Sequence, residues 1–135
     1  MGTRRKSREC SLKMLYMFDN CKLSTKDIYE FFNNYLLVGK PYRTFAINLF
    51  NGVYKNKKKI DYFISLYTEN WEINRIAVVD RNIIRIAIYE IMINKDTPVD
   101  VIIDEAIEIS KKYSTENSYK FINGILNKLK FARKS

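Results

Sequence analysis

Residues 78–93 read VVDRNIIRIAIYEIMI, and drawn on a helical wheel their apolar side chains fall on almost every side. A helix that is hydrophobic all round has to be covered by neighbours on several sides. The stretch therefore predicts the central helix of a C-terminal half, with other helices packed around it. The turn formers agree: 135 residues contain only 4 Gly and 2 Pro, too few for the many turns of an all-β chain. The rare charges inside the stretch stand out. Asp80 is placed to cap its N-terminal end or to favour it through the helix dipole. Arg81 and Arg85 are four apart and share a face, where surface or capping duty is the plain expectation.

Working upstream, residues 8–18 form a helical pattern in which Cys10, Ser11, Met14 and Phe18 gather on one side. Arg5, Leu12 and Tyr16 face the other way, so Leu12 and Tyr16 make a small outward apolar patch suited to a partner. Ser24 reads as an N-cap with Asp27 three residues on. A helix IYEFFNNYLLV (28–38) follows and stops at Gly39, and Pro41 opens the next helix. In that helix Phe45, Leu49, Phe50 and Val53 are spaced to pack inward. Lys55, Lys57, Lys58 and Lys59 form a polar break that reads as a solvated helix end. The division between an N-terminal subdomain (about 1–58) and a C-terminal one (about 59–135) is placed there, within one domain of 135 residues. Ile60 to Tyr67 is a fourth short helix, and residues 69–74, with Trp71, form a connection.

Downstream, KDTPVD (95–100) is a turn. VIIDEAIEISKKY (101–113) is an amphipathic helix with Ile103, Ala106, Ile107 and Ser110 inward and a Glu108–Lys112 pair in the favourable order. Asp104, Glu105 and Glu108 share a solvated face and lack any adjacent nucleophile or metal ligand, so no catalytic pair is assigned. The last helix begins near Ser118, with Ile122, Ile125, Leu126 and Leu129 inward.

Gly124 interrupts that last helix, where glycine costs about 1 kcal/mol relative to alanine. It lies nearly opposite the inward face, among Asn117, Lys120, Phe121 and Lys128. Two readings account for it. Another helix backbone crosses close by, or a nucleic-acid strand approaches, with Phe121 stacking on a base, Lys120 meeting a phosphate and Asn117 reading an edge. Both hold together if the N-terminal helix docks beside this one and the strand follows their seam.

Formal net charge is +9, which points to an anionic partner, nucleic acid before membrane surface. Lys, Asn, Ile and Tyr are all abundant, so the placement of charge carries more weight than its sum. Arg4, Arg5, Lys6 and Arg8 crowd the N-terminus and read as a mobile basic arm that orders on RNA. With no His and only Cys10 and Cys21, metal centres built on Cys/His clusters and His-based catalysis are excluded. The thiols read as reduced, partly buried cysteines of a cytoplasmic protein, and no apolar run is long enough to span a bilayer.

Taken in order, REC (8–10), LY (15–16), NGV (51–53), DRNIIRIAIYEI (80–91), VIIDEAIEISKKY (101–113) and KFINGIL (120–126) resemble the NusB family of transcription antitermination factors. The likeness runs from about Arg4 to Leu126. It implies an all-α fold of about seven helices in two small bundles, without catalysis or cofactor. It implies binding of boxA, a single-stranded RNA element of ribosomal RNA leader transcripts, together with the small-subunit ribosomal protein NusE. The pair supports RNA polymerase in the antitermination complex. By the same resemblance the RNA-contacting positions are Arg4, Arg5, Lys6, Arg8, Asn117, Ser118, Lys120 and Phe121. Tyr16 and Asp80 match positions that lie towards NusE, and Leu12 joins them through the outward patch. A homodimer of the free protein is compatible with such patches. The reading of another class is a stand-alone helical adaptor, related to the NusB-like domain of ribosomal RNA methyltransferases, that meets proteins and contacts RNA weakly.

Overall fold

Val78–Ile88 forms a helix, α5, whose Ile83, Ile84, Ile86, Ala87 and Ile88 are buried, as expected of the all-round apolar stretch. The computed structural model describes residues 2–36, 39–68 and 72–134. Around α5 stand α1 (Gly2–Cys21), α2 (Thr25–Phe31), α3 (Arg43–Lys55), α4 (Lys57–Tyr67), α6 (Val99–Tyr113) and α7 (Ser118–Lys134). There is no strand among the described residues. α5 touches α1, α3, α4, α6 and α7, which is why no side of it could be polar throughout.

One hydrophobic cluster holds these helices together. It draws Met14, Phe32 and Phe50 from the first half of the chain and Ile84, Ile102 and Leu126 from the second. The division expected near residue 58 falls in the first turn of α4. Ser24 caps α2 as expected, its Oγ accepting from the Asp27 N–H at 3.1 Å. The inward face of α7 is also as expected, with Ile122, Ile125, Leu126 and Leu129 all buried.

Several elements depart from the sequence reading. α2 passes into a π-helical segment, Phe32–Leu36, and residues 37–38 lie outside the described part. Gly39 has φ +71°, a left-handed conformation that glycine adopts without penalty. Pro41 sits in a turn ahead of α3 rather than opening it. α5 likewise widens into a π-helical segment, Tyr89–Asn94, closed by the Lys95 N–H donating to the Glu90 carbonyl at 3.0 Å. There the Tyr89 ring lies so tightly on α3 that a Cβ on Gly52 would fall 2.2 Å from it. The glycine of NGV is thus a seat for that ring. In the connection before α5, a 3-10 turn covers Ile73–Arg75, and Trp71 lies outside the described residues.

The largest departure is at the N-terminus. The expected mobile arm is the first two turns of α1. Four like charges in five residues repel when nothing opposes them, but here they are opposed. The Arg4 guanidinium lies 3.8 Å over the Phe45 ring, and Arg5 and Arg8 meet carboxylates from distant helices. Ser7 is buried and its Oγ donates to the Thr3 and Tyr42 carbonyls, each at 3.0 Å. No helix among the described residues is long and apolar enough to cross a membrane.

Candidate nucleic-acid interface

Asp80, in the first turn of α5, is buried and accepts from two hydroxyls at the α6–α7 junction, Ser114 Oγ and Ser118 Oγ, the latter at 2.8 Å. This clamp fixes the start of α7 against the start of α5. Beside it opens a cleft of about 310 Å³ lined by Arg75, Asp80, Thr115, Asn117, Ser118 and Phe121, among others. Four residues singled out from the sequence thus share one cleft. Asn117 is exposed, Phe121 is half-buried against the core, and Ser118 is buried with its hydroxyl committed to Asp80. Lys120 projects into solvent nearby. Lys111 reaches over the Tyr119 ring, 5.5 Å from its centre, and extends the basic surface onto α6.

Gly124 is exposed, and a Cβ built there meets nothing within 4 Å. Among the described residues no helix backbone crosses at that point, so the close-crossing reading is set aside. The open side of α7 next to Phe121 faces outward. Gly124→Ala is expected to raise stability by up to about 1 kcal/mol through helix propensity. Thermal unfolding checks it, and the same variant then reports whether a strand presses against that spot by losing RNA affinity.

The basic N-terminus separates into two kinds of residue. Arg4 and Lys6 are exposed. Arg5 is half-exposed, its Nε donating to Glu105 Oε1 at 3.2 Å. That hydrogen bond, followed by the charges of Arg5 and Arg8, holds the Glu105 carboxyl below the usual carboxylate range although burial opposes it. Arg8 is 4% exposed, and grips Glu90 through Nε at 2.8 Å and Nη2 at 2.9 Å while Nη1 reaches Glu105 at 3.5 Å. Arg8 therefore holds α1 to the α5–α6 layer, with all three of its guanidinium nitrogens engaged by Glu90 and Glu105. Glu105, read from the sequence as solvated, is buried because α1 lies on that side of α6.

Other expected placements change with it. Leu12 is 4% exposed and belongs to the core, whereas Tyr16 is 38% exposed. α1 is covered on two sides, by α3 and by α5, so the face opposite Met14 is also an inner face. Tyr16 and the edge of Leu12 border an apolar groove of about 440 Å³, to which Lys13, Met17, Phe31, Phe32, Val79 and Tyr113 contribute. Arg85 is buried and bidentate on Asp61 at 2.8 and 3.1 Å, with Asp19 at 2.7 Å, rather than at the surface. Lys112 pairs with Glu9 at 3.0 Å, and Glu108 with Lys111, in place of the expected Glu108–Lys112 pair. Cys10 is half-buried, its thiol pushed up to about 11 by that burial, so it stays protonated and unreactive near neutral pH.

The strip expected between α1 and α7 is interrupted. α6 packs against both helices, whereas α1 and α7 do not pack closely on each other. Arg75 and the groove around Phe31 were missed in the sequence. Arg75 falls between the connection read at residues 69–74 and the helix read from Val78, and the groove is assembled from residues far apart in the chain.

The family model described as the NusB family matches residues 5–131. The chain belongs to the NusB family. It is 42% identical over 137 residues to the transcription antitermination protein NusB of Elusimicrobium minutum, covering all of this chain and 98% of that one. The NusB of Trichlorobacter lovleyi is 43% identical over 129 residues, 96% of this chain and 91% of the relative. Among solved structures, NusB of T. maritima superposes with a TM-score of 0.83 at 40% identity, over 95% of this chain and 90% of that one. A complex of the antitermination factors NusB and NusE with double-stranded RNA contains a chain of the same fold. Its TM-score is 0.86 at 23% identity, with 98% of each chain covered.

Proposed function

We propose that this chain is a transcription antitermination factor that binds boxA-type single-stranded RNA of ribosomal RNA leader transcripts together with NusE, and supports processive RNA polymerase. One observation carries the reading for this chain: Asn117, Phe121 and Arg75 meet in one cleft, next to the open side of α7 at Gly124. A flat ring, an amide and cations on an open surface are what a strand with unpaired bases requires. The relatives' shared name and the fold shared with the NusB–NusE–RNA complex support the same assignment. The protein acts by binding, with no reaction step.

Within this reading, Asn117, Lys120 and Phe121 contact RNA directly, and Ser118 positions them through Asp80. Arg4, Lys6 and the outer edge of Arg5 supply phosphate contacts, while Arg8 supports the helix that carries them. The groove beside Tyr16 takes NusE. Its lining is mostly apolar, with Lys13 at the edge, and an exposed apolar surface of this kind suits a protein partner better than a nucleic acid.

The test is a titration of labelled boxA RNA and of a scrambled strand of the same composition, each with and without NusE. The boxA strand is expected to bind more tightly, and NusE to strengthen it. Equal binding of both strands, with NusE still captured, would make the chain a protein adaptor instead. A second measurement addresses the N-terminus. Arg4 and Lys6 changed together to Gln are expected to lessen the salt dependence of RNA binding by roughly 0.7 log units per lost phosphate contact.

A further inference from the structure

The lysine run between α3 and α4 has no part in the cleft, and its geometry is unusual. Lys57, Lys58 and Lys59 are the first three residues of α4, at the positive end of its dipole, where acidic residues are favoured and none is present. Asn56, the residue before them, makes no side-chain cap. Its Nδ2 donates backwards to the Gly52 carbonyl at 2.8 Å. Lys55, from the end of α3, adds a fourth charge. Only Lys57 has an ion pair among the described residues, a long one to Asp61 at 3.8 Å. Together with Tyr54, Asn56 and one carboxylate, Asp61, these lysines line an open depression of about 550 Å³. Tyr54 is 43% exposed and Tyr62 is 61% exposed, the latter four residues after Lys58 and so on its face of α4.

In the free protein this arrangement is self-repelling: four ammonium groups and the helix start add up, and the one carboxylate in the lining, Asp61, is already held by Arg85. An anion relieves it. The spacing of several cations around a depression suits a polymer of phosphates better than one ion, and the two exposed rings offer stacking surfaces that an acidic peptide would not use. A chain of contacts links the depression to α5, the helix that also carries Asp80 of the cleft. Lys57 meets Asp61, Asp61 meets Arg85, and Arg85 is five residues along α5 from Asp80, about 7.5 Å of helix rise.

We propose that the α3–α4 elbow is a second RNA contact, holding the backbone of single-stranded transcript that continues beyond the element bound at the α7 cleft. The inference rests on the RNA-binding reading above and extends it. The elbow is indifferent to sequence, because lysines meet phosphates and rings stack on any base. Its effect is to lengthen the strand the protein retains.

The experiment compares a short boxA strand with the same strand carrying a uridine tail of about 20 nucleotides, enough to pass one further single-strand site. Wild-type protein is expected to bind the tailed strand about tenfold more tightly at low salt, and more steeply with salt. The variant with Lys55, Lys57, Lys58 and Lys59 all changed to Gln is expected to bind both strands alike, with short-strand affinity and unfolding temperature kept. Loss of like charge at a helix start does not weaken the fold, so this variant stays informative. A second variant, Tyr54→Ala with Tyr62→Ala, is expected to lose part of the tail's advantage at high salt. A tail advantage absent from wild type, or retained by the lysine variant, overturns the elbow. So does polyglutamate displacing the tail as well as polyuridine does. Failure of the short strand to bind at all overturns the function itself, a separate outcome.

Discussion

Arg8→Ala lowers the unfolding temperature by roughly 10–20 °C and leaves RNA affinity nearly unchanged wherever the variant is still folded. The first half of this expectation follows from what remains. Glu90 is 2% exposed and loses both of its charged hydrogen bonds, and Glu105, also buried, loses one. Leaving a buried charge without its partner costs about 3–5 kcal/mol, and at this chain length each kcal/mol moves the midpoint by about 3–4 °C. The second half follows from the burial of Arg8 itself. Differential scanning calorimetry and a titration well below the midpoint check the two halves. A variant that keeps its stability but loses RNA would return Arg8 to the binding surface. Replacing Arg8 and Glu90 together by apolar residues of similar volume is expected to restore much of the loss. The same cluster sets a pH dependence. The Glu105 carboxyl is held low by its hydrogen bond from Arg5, so its contribution is fully present above the unfolded value of about 4.3. It is lost as pH falls through the lower folded value.

Phe121→Ala weakens RNA binding by about 1–3 kcal/mol, the usual cost of one lost base stack, or roughly 5- to 150-fold in Kd. Phe121 is half-buried and packs against the core, so some loss of stability accompanies it. Gly124→Ala separates the two effects, because it changes the outer side of α7 without removing a packed group. A reduced affinity in both variants, with stability lowered in one and raised in the other, marks this side of α7 as the strand's path. A Phe121→Ala protein that only melts earlier and binds RNA as before shows that the ring is core.

What could be read from the sequence was local. The buried character of α5, the cap at Ser24 and the inward stripe of α7 each depend on residues within a few turns of one another. Asn117, Lys120 and Phe121 fell together for the same reason. What could not be read was pairing across the chain. Arg8 and Glu90 are 82 residues apart, and Arg5 and Glu105 are 100 apart. No periodicity marks those arginines as partners rather than as a free basic arm. Leu12 is more buried than a wheel with one apolar side suggests, because α1 has several neighbours, yet it still borders the groove beside Tyr16. The apolar groove beside Tyr16 draws residues from α1, α2, α5 and α6, so only the folded chain assembles it.

Arg5, Arg8 and Arg85 pair with carboxylates from other helices, and Arg81 meets Asp19 at 3.5 Å. Arg43 and Arg133 are likewise engaged, on Asn33 and on the carbonyls of Thr97 and Lys95. These engaged arginines, unlike the exposed Arg4 and Arg75, fasten helices from within, using planar forks that an ammonium cannot reproduce, while lysines such as Lys6, Lys58 and Lys120 face water. The interchange of the two types is therefore directional. Outward lysines can drift to arginine over generations with the fold intact, whereas an inward arginine that drifts to lysine loosens a joint between helices.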